Sequence, residues 1–430
     1  MKIPDLIPSV FFDRLVLGME MTGAGKFVVQ MEMDFPASLD AERIEKALDL
    51  MLDAEPVLGC RLIPDAKSPY WQRLSTPERK NLSFTANESD YLDFRNRSLD
   101  YTKGPQLQAC LLRNTQGDRL LLKAAHQAAD AGGLKEIAAK LSAIYNRLES
   151  EPHYRPVPNL SGCRDMSQIM RHVPLWAYPV IFFNFMRQNW SNTFPAQTLH
   201  LEIPEGPTDP LTYTVKHIPA ARTDRIRQFG KTRRATINDV FVAAHFHALE
   251  KEAGWDRKAI LRLQSTIDLR RWYLPDERAG GICNLSVYEY HNLGRTLGRD
   301  LGETVEMVSR QTKARKNNWF GLTDICLIPA LNLMSFENQV KLAVKGVTSL
   351  IKRNGHPNAL TNMGEIKKES VRFGIEPSRA YLLTPFIFPP LFGGGLSMYQ
   401  DELTLCGGVP AHAKDTIDRF YQAVVENLPE

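Results

Sequence analysis

Apolar and polar side chains alternate in some segments of the first half of the chain and recur every three or four residues in others. Alternation predicts half-buried strands, and helical spacing predicts helices with one buried face. The predicted strands are 27–35, Val57–Ile63, Leu107–Arg113 and Arg119–Ala125. The predicted helices are 39–53, capped by Ser38, and a segment that runs from Gly132 and Gly133 to about Leu148.

The second half of the chain repeats this mixture of strand and helix patterns. Strands are predicted near 212–218, 260–267, 282–290, 370–376, 380–387 and 394–406. Helices are predicted near 223–230, 237–253, 299–317, 327–353 and 411–427. Because helices do not alternate strictly with strands, the pattern favours an α+β fold over a doubly wound parallel sheet.

Prolines interrupt the periodicity between about 151 and 210, which predicts a connection between two lobes. We therefore divide the chain into an N-terminal lobe (1–175), a linker or crossover segment (176–210) and a C-terminal lobe (211–430). The aromatic segment 174–190 has two interpretations. It is either a buried linker helix or loop, or an interfacial patch that touches lipid or an apolar substrate.

Composition places the chain among ordinary globular enzymes. Of its 430 residues 43% are hydrophobic, and 53 Lys and Arg against 49 Asp and Glu give no electrostatic case for nucleic-acid binding. Six well-separated cysteines are typical of free thiols in a reducing compartment. The N-terminal segment lacks a secretory-signal pattern, and no charge-free apolar stretch reaches membrane-spanning length. We expect a cytoplasmic monomer with no bound metal, and with peripheral membrane contact as an open alternative.

Three common site motifs fail on inspection of the residues. Gly25-Lys26 lacks both the upstream glycine and the following Ser or Thr of a phosphate-binding loop. No GxSxG motif is present, which leaves a serine hydrolase as a distant third hypothesis. His245 and His247 lie two residues apart and would point about 200° apart on a helix, so they cannot share a metal.

The segment that carries candidate chemistry is residues 120–133, LLLKAAHQAADAGG. An apolar strand runs into His126, Asp130 follows four residues later, and a glycine pair opens a helix. A neutral imidazole at the end of a strand can take a proton from a hydroxyl or amine nucleophile. On spacing alone, a structural histidine beside a helix-capping aspartate is the favoured interpretation.

Three further segments follow His126 and Asp130 along the chain. They are Thr236-Ile237-Asn238-Asp239-Val240, Asp268-Leu269-Arg270-Arg271 and Leu360-Thr361-Asn362-Met363-Gly364. In this order the set resembles the chloramphenicol-acetyltransferase-like superfamily. That family includes peptide-synthetase condensation domains, polyketide-associated acyltransferases, alcohol acetyltransferases and bacterial wax ester synthases. The resemblance spans nearly the whole chain.

The resemblance implies two similar α/β lobes that meet in a V, with a tunnel through the junction. An acyl thioester of coenzyme A or of carrier-protein pantetheine would enter from one face, and a small-molecule or lipid acceptor from the other. The resemblance makes His126 the base that deprotonates the acceptor, and Asp130 and Arg270 a structural ion pair. Thr361 or Asn362 would donate a hydrogen bond to the developing oxyanion.

The chain departs from the family pattern at two positions beside the histidine. Ala125 stands where many relatives have a first histidine, and Ala131 stands where they have glycine. Two functions remain open: a stand-alone acyltransferase, and a non-catalytic binding or scaffold protein that keeps the fold. For the enzyme, no permanently bound cofactor is expected.

Large apolar residues near proline breaks raise a further hypothesis about the acyl chain. They are Trp176, Ile181, Phe182, Phe183, Phe185, Ile328, Leu331 and Leu333. If some of them line the donor side of the tunnel, medium or long acyl chains should be preferred to acetyl. The alternative is that they form packing between the lobes.

Overall fold

Two large β-sheets and one small three-stranded sheet, with helices packed against them, make up the computed structural model, which describes residues 2–193, 196–273, 280–316, 319 and 321–430. The strands are β1 (Leu6–Pro8), β2 (Gly25–Lys26), β3 (Val28–Asp34), β4 (Cys60–Ile63), β5 (Tyr70–Arg73), β6 (Leu82–Thr85), β7 (Leu107–Asn114), β8 (Gly117–Ala125), β9 (Leu211–Ile218), β10 (Leu261–Asp268), β11 (Ser286–Gly294), β12 (Asn358–Glu365), β13 (Arg379–Leu383), β14 (Phe386–Ile387), β15 (Gly393–Tyr399) and β16 (Glu402–Pro410). The α-helices are α1 (Phe11–Met21), α2 (Ala41–Ala54), α3 (Glu88–Asn96), α4 (Ala131–Ser150), α5 (Ser167–Met170), α6 (Ala177–Thr193), α7 (Ala220–Thr232), α8 (Ile237–Glu252), α9 (Leu301–Lys316), α10 (Ile328–Asn332), α11 (Phe336–Lys352) and α12 (Lys414–Glu426).

The two large sheets exchange strands. One has the order β13-β3-β8-β7-β6, and the other has the order β11-β10-β12-β15-β16-β14-β2, with β9 also paired to β16. Thus β13, late in the chain, completes the N-terminal sheet, while β2, early in the chain, completes the C-terminal sheet. The predicted α+β class is confirmed, and the exchange joins the two lobes through the sheets themselves. The division at 175 and 210 stays a prediction.

Separate buried clusters support the two sheets. One packs α2 and α4 on the N-terminal sheet, and the other packs α8 and α12 on the C-terminal sheet. A smaller apolar cluster joins Phe12 of α1 to Ile181 of α6 and to Leu285 just before β11. This third cluster lies where the lobes meet, next to the site described below.

Local chemistry explains several differences from the sequence-based elements. The cap of α2 is Asp40, whose side chain accepts from the Arg43 N–H, and not Ser38. Strand β3 is buried along almost its whole length, because Gln30 and Glu32 each bond a tyrosine hydroxyl inside the protein. The predicted strand at 370–376 is instead a short 3₁₀ helix followed by a single bridge around Gly374, where φ is +72°.

The predicted helix over 327–353 is broken. A 3₁₀ turn at Thr323–Leu327 leads into α10, and α11 begins only after Ser335. At the start of α11 the Phe336 N–H donates to the Lys67 carbonyl, so a contact with the N-terminal lobe sets the new helix direction. Within the described residues, none of the helices is long and apolar enough to cross a bilayer.

Candidate active site

Strand β8 delivers His126 to the junction of the lobes. The strand pairs with β3 as far as Ala125, and the His126 N–H still donates to the Phe27 carbonyl at 3.0 Å. The backbone then turns, because the N–H groups of Ala128 and Ala129 both donate to the Ala125 carbonyl. The half-buried imidazole is thereby left at the lip of the sheet, as the sequence predicts.

A cavity of about 260 Å³ lies between the lobes and is lined by His126. Its other polar lining groups are Asp130, Gln264, Thr266, Asn284, Ser286, Tyr288, His356, Thr361 and Thr384. The remaining wall is mainly apolar and comes from α1, from α11 and from the approach to β15. Side chains from both halves of the chain therefore converge on the histidine.

Asn284 fixes the orientation of the histidine ring, and the sequence alone does not single it out. The His126 Nδ1 lies 3.0 Å from Asn284 Oδ1. The Asn284 Nδ2 donates to the carbonyls of His126, at 2.5 Å, and Gln127, at 3.2 Å. Because the amide nitrogen is committed to those two carbonyls, its oxygen must accept, and Nδ1 must carry the proton. Nε2 makes no hydrogen bond within the described residues, so its lone pair is available to a substrate.

Burial lowers the pKa of His126 below its ordinary value of 6.5, against a smaller opposite effect from Asp130. The imidazole is therefore neutral at neutral pH. A neutral ring with a free Nε2 lone pair has the protonation state that a general base requires.

Asp130 and Arg270 form the predicted ion pair, with Arg270 NH1 2.9 Å from Asp130 Oδ1. The buried carboxylate also caps α4 through the Gly133 N–H and accepts from the Leu285 N–H, each at 2.7 Å. Burial alone would raise the pKa of Asp130, but Arg270 and these N–H donors hold it below its ordinary value. Asp130 thus ties α4 to the segment that carries Asn284, which is a structural role.

Gly132, the first of the two adjacent glycines, leaves space for the ion pair of Asp130 and Arg270. A Cβ on Gly132 would lie 2.5 Å from Arg270 NH1 and 2.9 Å from Asp268 Oδ2. Gly132 therefore leaves room for the guanidinium, whereas Ala131 at the helix start lines the cavity without conflict. The departure from the family pattern at 131 leaves this architecture intact.

The structure separates the two oxyanion candidates. Thr361 lines the cavity, and its hydroxyl contacts that of Thr266 on β10. Asn362 is exposed, and its side chain accepts from the Gly364 N–H instead. Successive residues of a strand point to opposite faces, so only one of the two can face the cavity. The expectation for Asn362 is corrected, while Thr361 stays a candidate.

A second histidine in the cavity wall was missed from the sequence. His356 lies between α11 and β12 and is 3% exposed, and among the residues that the structure describes neither of its ring nitrogens has a hydrogen-bond partner of ordinary geometry. Burial lowers its pKa to about 4, so it is neutral at neutral pH. A lone histidine before a proline gives no sequence signal that would separate it from a surface residue.

The motif segment at 236–240 caps helix α8. The Thr236 side chain accepts from the Asp239 N–H, and the Asp239 side chain accepts from the Thr236 N–H, which forms a capping box at α8. Asp239 also accepts from the Thr312 hydroxyl of α9. Neither Thr236 nor Asp239 lines the cavity.

The apolar residues expected on the donor side of the tunnel lie elsewhere. None of the eight, from Trp176 to Leu333, lines the His126 cavity. Ile181 is buried in the third cluster, whereas Trp176, Phe182, Phe183 and Leu333 are exposed. Thus these eight residues do not line the cavity, and the exposed ones do not pack between the lobes either.

Solved structures match this architecture over almost the whole chain. The trichothecene 15-O-acetyltransferase of Fusarium sporotrichioides superposes with a TM-score of 0.73 at 13% identity, over 98% of this chain and 94% of that one. The first condensation domain of the calcium-dependent antibiotic synthetase gives 0.67 at 15% identity, over 98% and 96%. Polyketide synthase associated protein 5 of Mycobacterium tuberculosis gives 0.65 at 14% identity, over 97% of each chain.

This chain has the chloramphenicol-acetyltransferase-like fold. The resemblance stated from the sequence is therefore confirmed, with the two lobes that it implies. At these identities the likeness establishes the fold, which here is shared by an acetyltransferase and by condensation domains.

Curated sequences match a shorter part of the chain. Nonribosomal peptide synthetase 5 of Gibberella zeae is 27% identical over 144 residues, which is 32% of this chain and 1% of the synthetase. Enniatin synthetase of Fusarium oxysporum is 25% identical over 152 residues, or 34% of this chain and 5% of that protein. This chain thus matches only a small part of each synthetase. No protein-family model matches.

Proposed function

We propose that this chain is an acyltransferase that moves an acyl group from a thioester to a hydroxyl or amine acceptor at His126. The observation that supports the proposal most strongly is the environment of the two ring nitrogens of His126. Asn284 holds the Nδ1 proton, and the unbonded Nε2 belongs to a side chain that lines a cavity between the lobes. This is the arrangement of a positioned base.

The proposed reaction needs only the groups of the cavity and its two substrates. Nε2 takes the proton of the acceptor as its oxygen or nitrogen attacks the thioester carbonyl carbon. The tetrahedral intermediate carries its negative charge on the former carbonyl oxygen, where the Thr361 hydroxyl is the candidate donor. The carbon–sulfur bond then breaks, and the imidazolium returns its proton to the leaving thiolate. The acyl group ends on the acceptor and the enzyme is unchanged.

The donor we propose is a thioester of coenzyme A or of a pantetheine-bearing carrier protein. Both donors carry the acyl group on the same thioester. The proteins similar to this chain include a peptide synthetase and a condensation domain of another synthetase. The acceptor is a small molecule or lipid. A non-catalytic binding protein of the same fold is the alternative outcome in the experiments below.

Donor chain length tests both the proposal and the nature of the cavity wall. Phe12, Leu15 and Val16 on α1 and Val347 and Leu350 on α11 form part of the apolar wall of the cavity. Each methylene transferred from water to such a wall contributes about 0.8 kcal/mol, so four of them correspond to roughly a hundredfold in kcat/KM. We expect kcat/KM to rise from acetyl- to octanoyl-coenzyme A, measured by product mass. Values of kcat/KM that stay constant or fall as the acyl chain lengthens would contradict the preference for longer chains and would indicate a small acyl donor.

Replacing Asn284 tests its role as a positioning residue. We expect Asn284→Ala to lower kcat by about tenfold or more with KM little changed, because the ring loses the acceptor that fixes its tautomer. Asn284→Asp should still accept from Nδ1 and should raise the pKa of His126, since a negative charge favours the imidazolium. The acid limb of the pH profile should then move to higher pH. An unmoved limb would make Asn284 a purely structural residue.

The pH dependence of wild-type transfer follows from the burial of His126. Protonated His126 cannot accept a proton, so kcat/KM should be constant at neutral pH and fall as the pH drops through the pKa of the histidine. Because burial lowers that pKa, the midpoint should lie below 6.5. A midpoint clearly above 6.5 would contradict the buried environment assigned to the base.

A further inference from the structure

An exposed apolar surface lies beside the candidate active site. We define the apolar patch as the exposed large apolar side chains at and just before α6, together with the residue after α10. Its members are Leu175, Trp176, Tyr178, Val180, Phe182, Phe183, Met186 and Leu333. Leu333 is 90% exposed, Leu175 is 87% exposed, and Phe182 and Phe183 are 55% and 67% exposed. Seven of these side chains lie within residues 175–186, and so many exposed aromatic and aliphatic side chains in one segment mark an interaction surface.

The patch continues inward as a groove. An apolar cavity of about 540 Å³ is lined by residues of α6, the 323–327 turn and α10, and its walls include Met170, Ile181, Ile325 and Ile328. Phe182 belongs to both the patch and the groove. The surface therefore has exposed apolar side chains that can insert into an apolar phase, and an apolar groove that can bind an acyl chain.

The charged residues within the segment 166–187, which carries all of the patch except Leu333, have one sign, and the nearest acidic residues along the chain are Asp165 and, before the second segment, Asp324. Residues 166–187 contain Arg171 and Arg187 and no Asp or Glu, and residues 325–334 contain no charged residue. Arginines beside an apolar surface favour anionic lipid headgroups. Trp176 and Tyr178 are the residue types that occupy the boundary between headgroups and acyl chains.

A protein partner fits this surface less well than a bilayer does. Protein interfaces carry a polar rim and about ten direct hydrogen bonds. Residues 173–186 have no charged side chain, and Asn184 is the amide among them. We propose that the apolar patch binds the surface of an anionic lipid bilayer, with α6 lying in the interface.

The position of the patch connects the bilayer to the candidate site. Phe12 lines the His126 cavity, and it packs in the same buried cluster as Met166, Ile181 and Ile325, which line the groove. A lipid-like substrate of the proposed reaction would thus leave the bilayer close to His126. Membrane binding itself goes beyond the proposed function and stands without it.

Flotation of the full chain with lipid vesicles tests the inference. We use vesicles of phosphatidylcholine alone and of equal parts phosphatidylcholine and phosphatidylglycerol. The wild type should float with the anionic vesicles, and less so with the neutral ones or at high salt. Phe182→Ser with Phe183→Ser should weaken binding by about tenfold or more for each phenylalanine. Leu333→Ser, which removes a single protruding side chain, should weaken it by a smaller factor.

Phe84→Ser is the matched control, because Phe84 is 54% exposed on β6, outside the patch. It should float like the wild type. The inference is overturned if the wild type floats with neither vesicle or if the double variant floats as well as the wild type. It is also overturned if sedimentation shows a wild-type dimer that the double variant disperses, since a second copy would then cover the patch. Turnover of a water-soluble short-chain thioester by the double variant reports separately on the proposed acyltransferase.

Discussion

His126→Ala is expected to lower the rate of acyl transfer by about 10²–10⁴ while the protein stays folded. The side chain lines a cavity at the end of β8, so its removal enlarges an existing space and leaves the packed core untouched. The Asn284 amide keeps its bonds to the two loop carbonyls, which holds the loop in place. The measurements are product formation under saturating donor and acceptor, and a thermal melt of the same preparation.

The matched control for this prediction is His217→Ala. His217 lies on strand β9, its imidazole contacts the Thr404 hydroxyl, and it does not line the cavity. Its replacement should leave turnover close to that of the wild type. Full turnover by a well-folded His126→Ala variant would remove His126 as the base. Equal losses in both variants would point to a general effect of histidine removal on the fold.

Asp130→Ala and Arg270→Ala are each expected to lower the free energy of unfolding, by up to about 3–5 kcal/mol. Arg270→Ala leaves the buried Asp130 carboxylate with no ion-pair partner among the described residues, whereas Asp130→Ala leaves Arg270 with Glu136 and Asp268. The side chains are 2% and 13% exposed. Activity should fall with stability, since Asp130 also accepts from the Leu285 N–H next to Asn284. Unfolding in urea measures the effect.

The double variant separates a direct pair from two independent residues. Its loss of stability should be smaller than the sum of the single losses, with a coupling of about 0.5–3 kcal/mol. The exposed pair Arg147 and Glu151, 3.2 Å apart, is the control cycle, and its coupling should be at most about 1 kcal/mol. Additive effects at Asp130 and Arg270 would contradict the ion pair.

The parts of the fold that sequence patterns predicted are those where local spacing and packing agree. The β8 strand, the helix after Gly133 and the pair of Asp130 with Arg270 all follow from residues close to a motif or from the family resemblance. The α10–α11 break depends on a bond between Phe336 and Lys67, which are far apart in the chain. Contacts of that kind have no local signature.

The candidate site shows the same division. His126 and Asp130 are visible in the sequence because one strand and one helix start bring them together. Asn284 and His356 reach the same cavity from separate segments, and only the tertiary fold places them there. The aromatic segment 174–190 was predicted as either a buried element or an interfacial patch. Its exposed side chains show that it is not simply buried, whereas contact with lipid is the inference to be tested.

In the proposed reaction the acceptor itself, and not water, receives the acyl group at His126. The most direct test of this transfer is product mass after the wild type is incubated with octanoyl-coenzyme A and an alcohol labelled with oxygen-18. Direct transfer cleaves the carbon–sulfur bond and leaves the acceptor oxygen in place, so the predicted product is an ester that keeps the label, formed only when His126 is present. Octanoic acid as the sole product would indicate a hydrolase. If no acyl thioester releases its thiol with any acceptor, amines included, the protein is non-catalytic. Either result would contradict acyl transfer at His126.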